Sequence, residues 1–286
     1  MNTRAPDRVG VLGGGRMGAG IAHAYLLAGS RAVVVERDAE SADTASHRIG
    51  DSIRRSVERD DSLDAADLAA RLATGADAAA FGDCDLVIEA VPEDRALKES
   101  ALARAEAAMP AHATLASNTS SISIDDLAAG RLRPEQFLGL HFFNPVPASA
   151  LVEIVRGSAT SPEVVERARG WVAALGKTPI VVRDSPGFAS SRLGVVLGLE
   201  AIRMLEEGVA SAADIDTAMT LGYRHPTGPL RTTDIVGLDV RLGIAEELER
   251  AFGERFAPPE LLRRMVAEGK LGRKSGQGFY EWNEER

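Results

Sequence analysis

The chain has 286 residues, of which 45% are hydrophobic and 26% charged, and its formal net charge is −9 at pH 7. This composition is typical of a globular protein and argues against a disordered, fibrous or membrane-spanning chain. The acidic balance, without a cluster of Lys and Arg, argues against nucleic acid as a partner. The one cysteine, Cys84, excludes an intrachain disulfide. We therefore expect a cytoplasmic enzyme or binding protein that has no membrane partner.

The first half of the chain alternates short β-branched runs with Ala-rich segments of helical period. Strands are predicted at residues 9–12, 32–35, 86–90, 114–116 and 137–143, and helices at 17–28, 39–57 and 97–109. This alternation is typical of parallel βαβ units, so we expect an α/β fold with a Rossmann-type doubly wound sheet. Two later runs, 151–155 and 178–182, are predicted to be further strands of the same domain.

The strand pattern stops after residue 184. Helices are predicted at 188–207, 212–221, 238–252 and 259–267, joined by short Gly/Pro turns. We therefore expect an N-terminal α/β domain over residues 1–184 and an all-helical C-terminal domain over 185–286. The first helix of the second domain is apolar nearly all round, as expected of a helix that is buried among others or at a subunit interface.

A glycine-rich motif follows the first predicted strand and opens the first helix. Gly13, Gly15 and Gly18 have the G-x-G-x-x-G spacing, which permits a tight turn, backbone approach to a pyrophosphate, and close packing of helix on strand. Glu36 ends the second strand, where a carboxylate can accept hydrogen bonds from both ribose hydroxyls and repel a 2′-phosphate. The sequence thus predicts a dinucleotide site for NAD, although the neighbouring Arg37 could accept the phosphate of NADP.

A histidine and a glutamate lie in two successive apolar strands. If the strands 137–143 and 151–155 pair in antiparallel fashion, His141 and Glu153 could lie opposite each other. The carboxylate would then hold one imidazole tautomer, and the histidine could accept the proton of a secondary alcohol during oxidation. A satisfied core histidine is the alternative interpretation. No set of His, Asp and Glu has metal-ligand spacing, so we expect no metal.

Seven motifs resemble those of the L-3-hydroxyacyl-CoA dehydrogenases, and in particular the bacterial 3-hydroxybutyryl-CoA dehydrogenases. In chain order they are DLVIEAVP (85–92), SNTSSI (117–122), GLHFFNPVP (139–147), LVEIV (151–155), DSPGF (184–188), HPTGP (225–229) and LGRKSGQGFY (271–280). The resemblance implies an NAD-dependent oxidoreductase of fatty acid β-oxidation. Such an enzyme interconverts L-3-hydroxyacyl-CoA, of short chain here, with 3-oxoacyl-CoA by hydride transfer. It also implies a homodimer formed through the C-terminal domain.

The resemblance assigns catalytic and substrate-side roles to five residues. It makes His141 the base and Glu153 the residue that orients it. Ser120 is expected to hydrogen-bond the substrate oxygen, while Asn118 and Asn144 are expected near the nicotinamide and the bound substrate.

Three further residues are implied on the cofactor side, and one position departs from the family pattern. The resemblance places Glu93 and Lys98 near the nicotinamide ribose, and Lys274 near the cofactor from the C-terminal domain. The family usually carries Asn before Arg192, where this chain has Ser191. Because serine is shorter and has one donor, we expect Ser191 to replace the amide contact to the substrate carbonyl imperfectly. The departure leaves open an acyl-carrier-protein-bound or free 3-hydroxy acid as substrate, or a non-catalytic dinucleotide-binding protein.

Overall fold

The computed structural model describes residues 4–282. The chain divides into two compact units, the first ending at Ser185 and the second beginning at Pro186. Within residues 4–282, no helix combines the length and the apolar character needed to cross a membrane.

The first unit is built on one eight-stranded sheet. Its strands are β1 (Arg8–Leu12), β2 (Arg31–Val35), β3 (Leu72–Gly75), β4 (Leu86–Glu89), β5 (Thr114–Ser117), β6 (Phe137–Phe142), β7 (Leu151–Arg156) and β8 (Thr178–Arg183). They are arranged in the order β3-β2-β1-β4-β5-β6-β7-β8. The first six run parallel, whereas β7 is antiparallel to β6 and parallel to β8. The order reverses direction between β1 and β4, which is the place where doubly wound sheets bind ligands.

Within the described residues, six α-helices of the first unit complete the Rossmann-type arrangement. They are α1 (Arg16–Leu27), α2 (Ala39–Val57), α3 (Ala65–Ala70), α4 (Arg95–Ala108), α5 (Ile124–Ala128) and α6 (Pro162–Ala174). Side chains at their starts explain several boundaries: Asp38, Asp94 and Ser161 accept hydrogen bonds from N–H groups in the first turns of α2, α4 and α6. The central strands bury almost every residue, as expected of strands in a doubly wound sheet.

The second unit is helical in the residues described. Its helices are α7 (Ser190–Glu206), α8 (Ala212–Gly222), α9 (Pro229–Val236), α10 (Leu238–Phe252) and α11 (Glu260–Ala267). Their apolar faces form a separate core that includes Leu199, Ile202 and Leu248. Beyond α11, up to Trp282, the chain forms a short 3-10 helix at Arg273–Ser275 and two isolated β-bridges.

The predicted Rossmann-type sheet and the helical second unit are confirmed, and every predicted strand and helix ends within two residues of the observed one. Helix α7 begins later than predicted because Gly187 and Phe188 have positive φ angles. Five of the strands and α-helices named above were not predicted: β3, α3, α5, α6 and α9. Four of these are short, but α6 carried a readable start signal, Ser161 as N-cap followed by Pro162.

Candidate active site

The loop between β1 and α1 is shaped by its glycines. Gly13 has φ +97°, a left-handed conformation that glycine adopts without strain. A Cβ on Gly18 would lie 1.8 Å from the carbonyl oxygen of Gly13, so a side chain at residue 18 is excluded by backbone. A Cβ on Gly15 would meet no atom within 4 Å. The space beside Gly15 is therefore open to the approach of a ligand.

The N-terminus of α1 is prepared for an anion. Its N-cap, Gly15, makes no side-chain hydrogen bond, and no acidic residue lies in the first turn. The N–H groups there consequently lack a carboxylate or hydroxyl acceptor from the cap, and the helix dipole favours negative charge at this end. A cavity of about 850 Å³ opens here, bounded by Gly13, Gly15 and Glu36 and by residues 90–92 at the end of β4. Its size and its glycine cradle fit a dinucleotide.

Glu36 is tied to the glycine loop. One of its carboxylate oxygens accepts a hydrogen bond from the backbone N–H of Gly14 at 2.6 Å. On the same glycine, the carbonyl oxygen accepts a hydrogen bond from the guanidinium of Arg48 at 2.7 Å. The Arg37 guanidinium instead contacts Asp38 and Ser41. Glu36 therefore lines the cavity beside the glycine loop, and the hydrogen bond from Arg48 to Gly14 was not predicted.

Glu93 organises the loop that follows β5. Its Oε1 accepts hydrogen bonds from the Thr119 hydroxyl at 2.6 Å and from the backbone N–H groups of Ser120 and Ser121 at 2.9 and 3.0 Å. The hydroxyls of the two serines also approach the same oxygen. Burial raises the pKa of Glu93, but the Lys98 ammonium and the hydrogen bonds from Thr119 and Ser120 outweigh it and hold that pKa below its ordinary value.

Lys98 and Glu89 form a buried ion pair beneath this loop. The Lys98 ammonium lies 2.8 Å from Oε1 of Glu89 and 3.2 Å from Oε2 of Glu93. Glu89 also accepts hydrogen bonds from the Ser117 hydroxyl and from the backbone N–H of Val91. The family resemblance had indicated Lys98 and Glu93, whereas Glu89 and Ser117 were not predicted as site residues. A carboxylate at the end of an otherwise apolar strand was the signal that could have identified Glu89.

His141 and Glu153 are paired as the sequence suggested. Strands β6 and β7 are antiparallel, and their register sets these two residues directly opposite each other. The His141 Nδ1 atom lies 2.7 Å from a carboxylate oxygen of Glu153, and both side chains are buried. A carboxylate beside Nδ1 favours the tautomer that carries its proton there, which places the lone pair on Nε2.

The remaining predicted residues of the first unit follow the carboxyl ends of β5 and β6. Asn118 directly follows β5, and its side-chain oxygen accepts a hydrogen bond from the backbone N–H of Phe142 at 2.9 Å. This contact joins the end of β5 to β6 one residue after His141. Ser120 is exposed in the loop that Glu93 holds, and Asn144 is exposed in the turn between β6 and β7.

Two predicted residues belong to the second unit. Ser191 lies in the first turn of α7 and is half-buried. The ammonium of Lys274 forms an ion pair with the carboxylate of Asp239 at 2.6 Å. No group of three or more His, Cys, Asp or Glu within the described range of 4–282 could hold a metal ion.

Comparison with known proteins gives matches along almost the whole chain. Residues 8–185 match the family model described as 3-hydroxyacyl-CoA dehydrogenase, NAD binding domain, and residues 187–282 match the C-terminal domain of the same family. A probable 3-hydroxybutyryl-CoA dehydrogenase of Deinococcus radiodurans is 41% identical over 277 residues, which cover 96% of this chain and all of that protein. A 3-hydroxybutyryl-CoA dehydrogenase of Mycobacterium tuberculosis is 43% identical, with 97% and 99% covered.

The fold has a close counterpart among solved structures. The crystal structure of (S)-3-hydroxybutyryl-CoA dehydrogenase from Ralstonia eutropha superimposes with a TM-score of 0.92 at 39% identity. The similarity covers 98% of this chain and 100% of that one.

Proposed function

The chain belongs to the 3-hydroxyacyl-CoA dehydrogenase family, and from that premise we propose that it interconverts short-chain L-3-hydroxyacyl-CoA, such as 3-hydroxybutyryl-CoA, with the 3-oxoacyl-CoA. It is an oxidoreductase whose cofactor is NAD. The short chain is supported by the relatives that carry the name 3-hydroxybutyryl-CoA dehydrogenase. An enzyme of this kind acts in fatty acid metabolism.

The observation that carries the proposal is the buried pair of His141 and Glu153. Oxidation of a secondary alcohol removes a proton from oxygen while hydride leaves carbon. We assign His141 as the base that takes the proton on Nε2, because Nδ1 faces Glu153. The Glu153 carboxylate orients the ring and stabilises the imidazolium that forms. In the direction of reduction the same imidazolium returns the proton to the substrate oxygen.

The groups after β5 and β6 are assigned to the substrate oxygen and to the nicotinamide end. Ser120 donates a hydrogen bond to the substrate oxygen in this proposal, and its exposed position in a fixed loop supports that role. Asn118 follows the carboxyl end of β5 and Asn144 follows that of β6, and both are assigned to the nicotinamide and the substrate. Bound NAD supplies the hydride acceptor at carbon 4 of its nicotinamide ring.

The cofactor is assigned to the glycine loop and to a small set of charged groups. Gly13, Gly15 and Gly18 cradle the pyrophosphate, and Glu36 binds the adenosine ribose. Glu93 and Lys98 are assigned to the nicotinamide-ribose side, and Lys274 of the second unit is assigned to the cofactor. We propose residues 1–184 as the NAD-binding domain and 185–286 as the substrate and dimerisation domain.

A second substrate class remains a candidate because of Ser191. The amide that the family usually carries at that position is absent, and a serine hydroxyl has a shorter reach. An acyl-carrier-protein thioester or a free 3-hydroxy acid would then be the substrate of the same hydride chemistry. A non-catalytic dinucleotide-binding protein is the less favoured alternative, since such a protein would have no need of the His141–Glu153 pair.

The experiment that tests the proposal is NADH oxidation followed by absorbance, with acetoacetyl-CoA as substrate. Parallel assays contain acetoacetyl groups on acyl carrier protein, free acetoacetate, or NADPH in place of NADH. Fastest turnover with acetoacetyl-CoA and NADH is expected. Faster turnover of a carrier-protein or free-acid substrate would replace the proposed substrate, and NADH binding without any turnover would favour the non-catalytic alternative.

We also propose that the protein is a homodimer formed through the second unit. Helix α7 buries Leu199 and Ile202 in its own unit but leaves Leu193, Val196 and Leu197 exposed. Grouped apolar side chains on one helix are a common mark of a protein interface. The family resemblance indicates that a second copy of the chain covers this face of α7.

A further inference from the structure

A fully buried carboxylate lies behind the loop that holds Ser120. Glu89, at the carboxyl end of β4, is 0% exposed. It accepts hydrogen bonds from the Ser117 hydroxyl at 2.6 Å, from the Val91 N–H at 2.7 Å and from the Lys98 ammonium at 2.8 Å. An ionised group at this depth is costly unless it is paired and hydrogen-bonded, and Glu89 meets both conditions.

The Lys98 ammonium connects Glu89 to a second carboxylate. Its Nζ lies 3.2 Å from Oε2 of Glu93 and donates to the carbonyl oxygen of Val91 at 3.2 Å. Two carboxylates therefore share one cation, and the cluster carries a net charge of −1. The Lys98 side chain is only 1% exposed, so little water is present to replace either partner. The position of the ammonium is consequently set by the balance between Glu89 and Glu93.

Glu93 uses its two oxygens for different tasks. Oε2 faces Lys98, whereas Oε1 receives the hydroxyl of Thr119 and the backbone N–H groups of Ser120 and Ser121. A rotation of this carboxylate toward Lys98 would withdraw Oε1 from the loop. The geometry of the 119–121 loop thus depends on how strongly Glu89 holds the Lys98 ammonium away from Glu93.

We propose that Glu89 is a positioning residue for the Ser120 hydroxyl, acting through Lys98 and Glu93. The proposal rests on the proposed function, in which Ser120 bonds the substrate oxygen. Neutralising Glu89 leaves Lys98 with one anionic partner, so the ammonium moves toward Glu93 and turns its carboxylate. Thr119, Ser120 and Ser121 then lose their common acceptor, and the Ser120 donor leaves its productive position.

The test is a double-mutant cycle between Glu89→Gln and Ser120→Ala, two changes at residues that make no direct contact. Removal of one positioned hydrogen-bond donor commonly costs about 10² in rate. We expect Ser120→Ala to lower kcat/KM for acetoacetyl-CoA by about that factor, and Glu89→Gln by about tenfold. When Glu89→Gln is added to Ser120→Ala, we expect kcat/KM to fall by less than about a further twofold, because the donor that Glu89 positions is already absent. NADH affinity is measured for each variant to separate cofactor binding from the chemical step.

The matched control is Glu106→Gln. Glu106 is also a buried glutamate of the first unit, and it accepts hydrogen bonds from the backbone of Leu132 and Arg133, away from the 119–121 loop. Its effect on kcat/KM, whatever its size, should multiply with that of Ser120→Ala. If the effects of Glu89→Gln and Ser120→Ala also multiply, or if Glu89→Gln has wild-type kcat/KM, the positioning role is overturned.

Amide hydrogen exchange provides a readout that does not depend on turnover. The N–H groups of Ser120 and Ser121 both donate to Glu93, so their protection should fall in Glu89→Gln and stay unchanged in Glu106→Gln. If the wild-type enzyme turns over no acyl-CoA but this loss of protection is seen, the proposed function fails while the connection from Glu89 to the loop stands. Unchanged protection overturns the connection itself. Should Glu89→Gln not fold, Glu89→Asp withdraws the carboxylate from Lys98 and is expected to produce the same changes at smaller size.

Discussion

The side chains of His141 and Glu153 face each other across two antiparallel strands, with the imidazole Nδ1 atom 2.7 Å from the carboxylate. This arrangement places the proposed base and the group proposed to orient it on neighbouring strands of the sheet. Because a positioned general base contributes about 10²–10⁴ in rate, His141→Gln should lower kcat by at least about 10². Glu153→Gln keeps the shape of the pair but removes its charge, and should lower kcat by a comparable factor.

The measurement is NADH oxidation with acetoacetyl-CoA, together with a fluorescence titration of NADH. Both variants are expected to bind NADH as the wild type does. A His141→Gln enzyme with wild-type kcat would exclude His141 as the base.

In the glycine loop, a methyl group added at Gly15 should impair cofactor binding, whereas one added at Gly18 should impair folding. Gly15→Ala should fold normally, since its Cβ meets no atom within 4 Å, but its methyl group should raise the Kd for NADH by about tenfold or more where the pyrophosphate approaches. Gly18→Ala should lose about 2 kcal/mol or more of unfolding free energy because its Cβ meets backbone. Thermal melts and NADH titrations distinguish the two. Gly50→Ala, at a helical glycine whose Cβ also meets open space, is the control that should leave NADH binding unchanged.

Cofactor preference should depend on Glu36. A carboxylate at the adenosine ribose favours NADH and repels the 2′-phosphate of NADPH, so Glu36→Ala should reduce the ratio of NADPH Kd to NADH Kd by about tenfold. Glu40→Ala makes the same charge change in the same cavity and should alter that ratio by less than about twofold. Equal effects of the two changes would show that general cavity charge, and not Glu36 itself, sets the preference.

The departure at residue 191 can be reversed directly. Ser191→Asn restores an amide donor at the start of α7, so acetoacetyl-CoA should bind or react at least as well as in the wild type. Steady-state kinetics give KM and kcat, and an unchanged NADH affinity serves as the internal control. A large loss of kcat/KM would mean that the serine has a different task in this enzyme.

The proposed dimer predicts a result for the exposed face of α7. Leu193 is 62% exposed, and Leu193→Glu would put a charge into the apolar interface and shift the protein toward monomer. Size-exclusion chromatography with light scattering over a range of concentrations measures the change. Leu132→Glu, at a more exposed leucine of the first unit, should leave the mass unchanged. A wild-type protein that is monomeric at all concentrations would reject the dimer.

The sequence was most informative where a residue type has one strong structural reason to be present. The glycines after β1 have a fixed spacing that can be read directly from the sequence. The facing positions of His141 and Glu153 follow from the antiparallel pairing of two strands joined by a short turn. The cluster of Glu89, Lys98 and Glu93 could not be derived in this way. Its members come from a strand end, a helix and the loop between them, so their contacts depend on how α4 packs at the end of β4. Short elements such as β3 and α5 were missed because a few residues carry too little periodicity.

The peptide groups around Gly14 are held by opposite charges, since Glu36 accepts from the N–H of Gly14 and Arg48 donates to its carbonyl oxygen. One carboxylate therefore holds the glycine loop and also lines the cavity where we propose that the ribose binds. An evolutionary route from NAD to NADP use cannot replace Glu36 alone without releasing an amide of that loop. It would require a coupled change that supplies a new acceptor for Gly14, which makes the present cofactor choice hard to reverse by single steps.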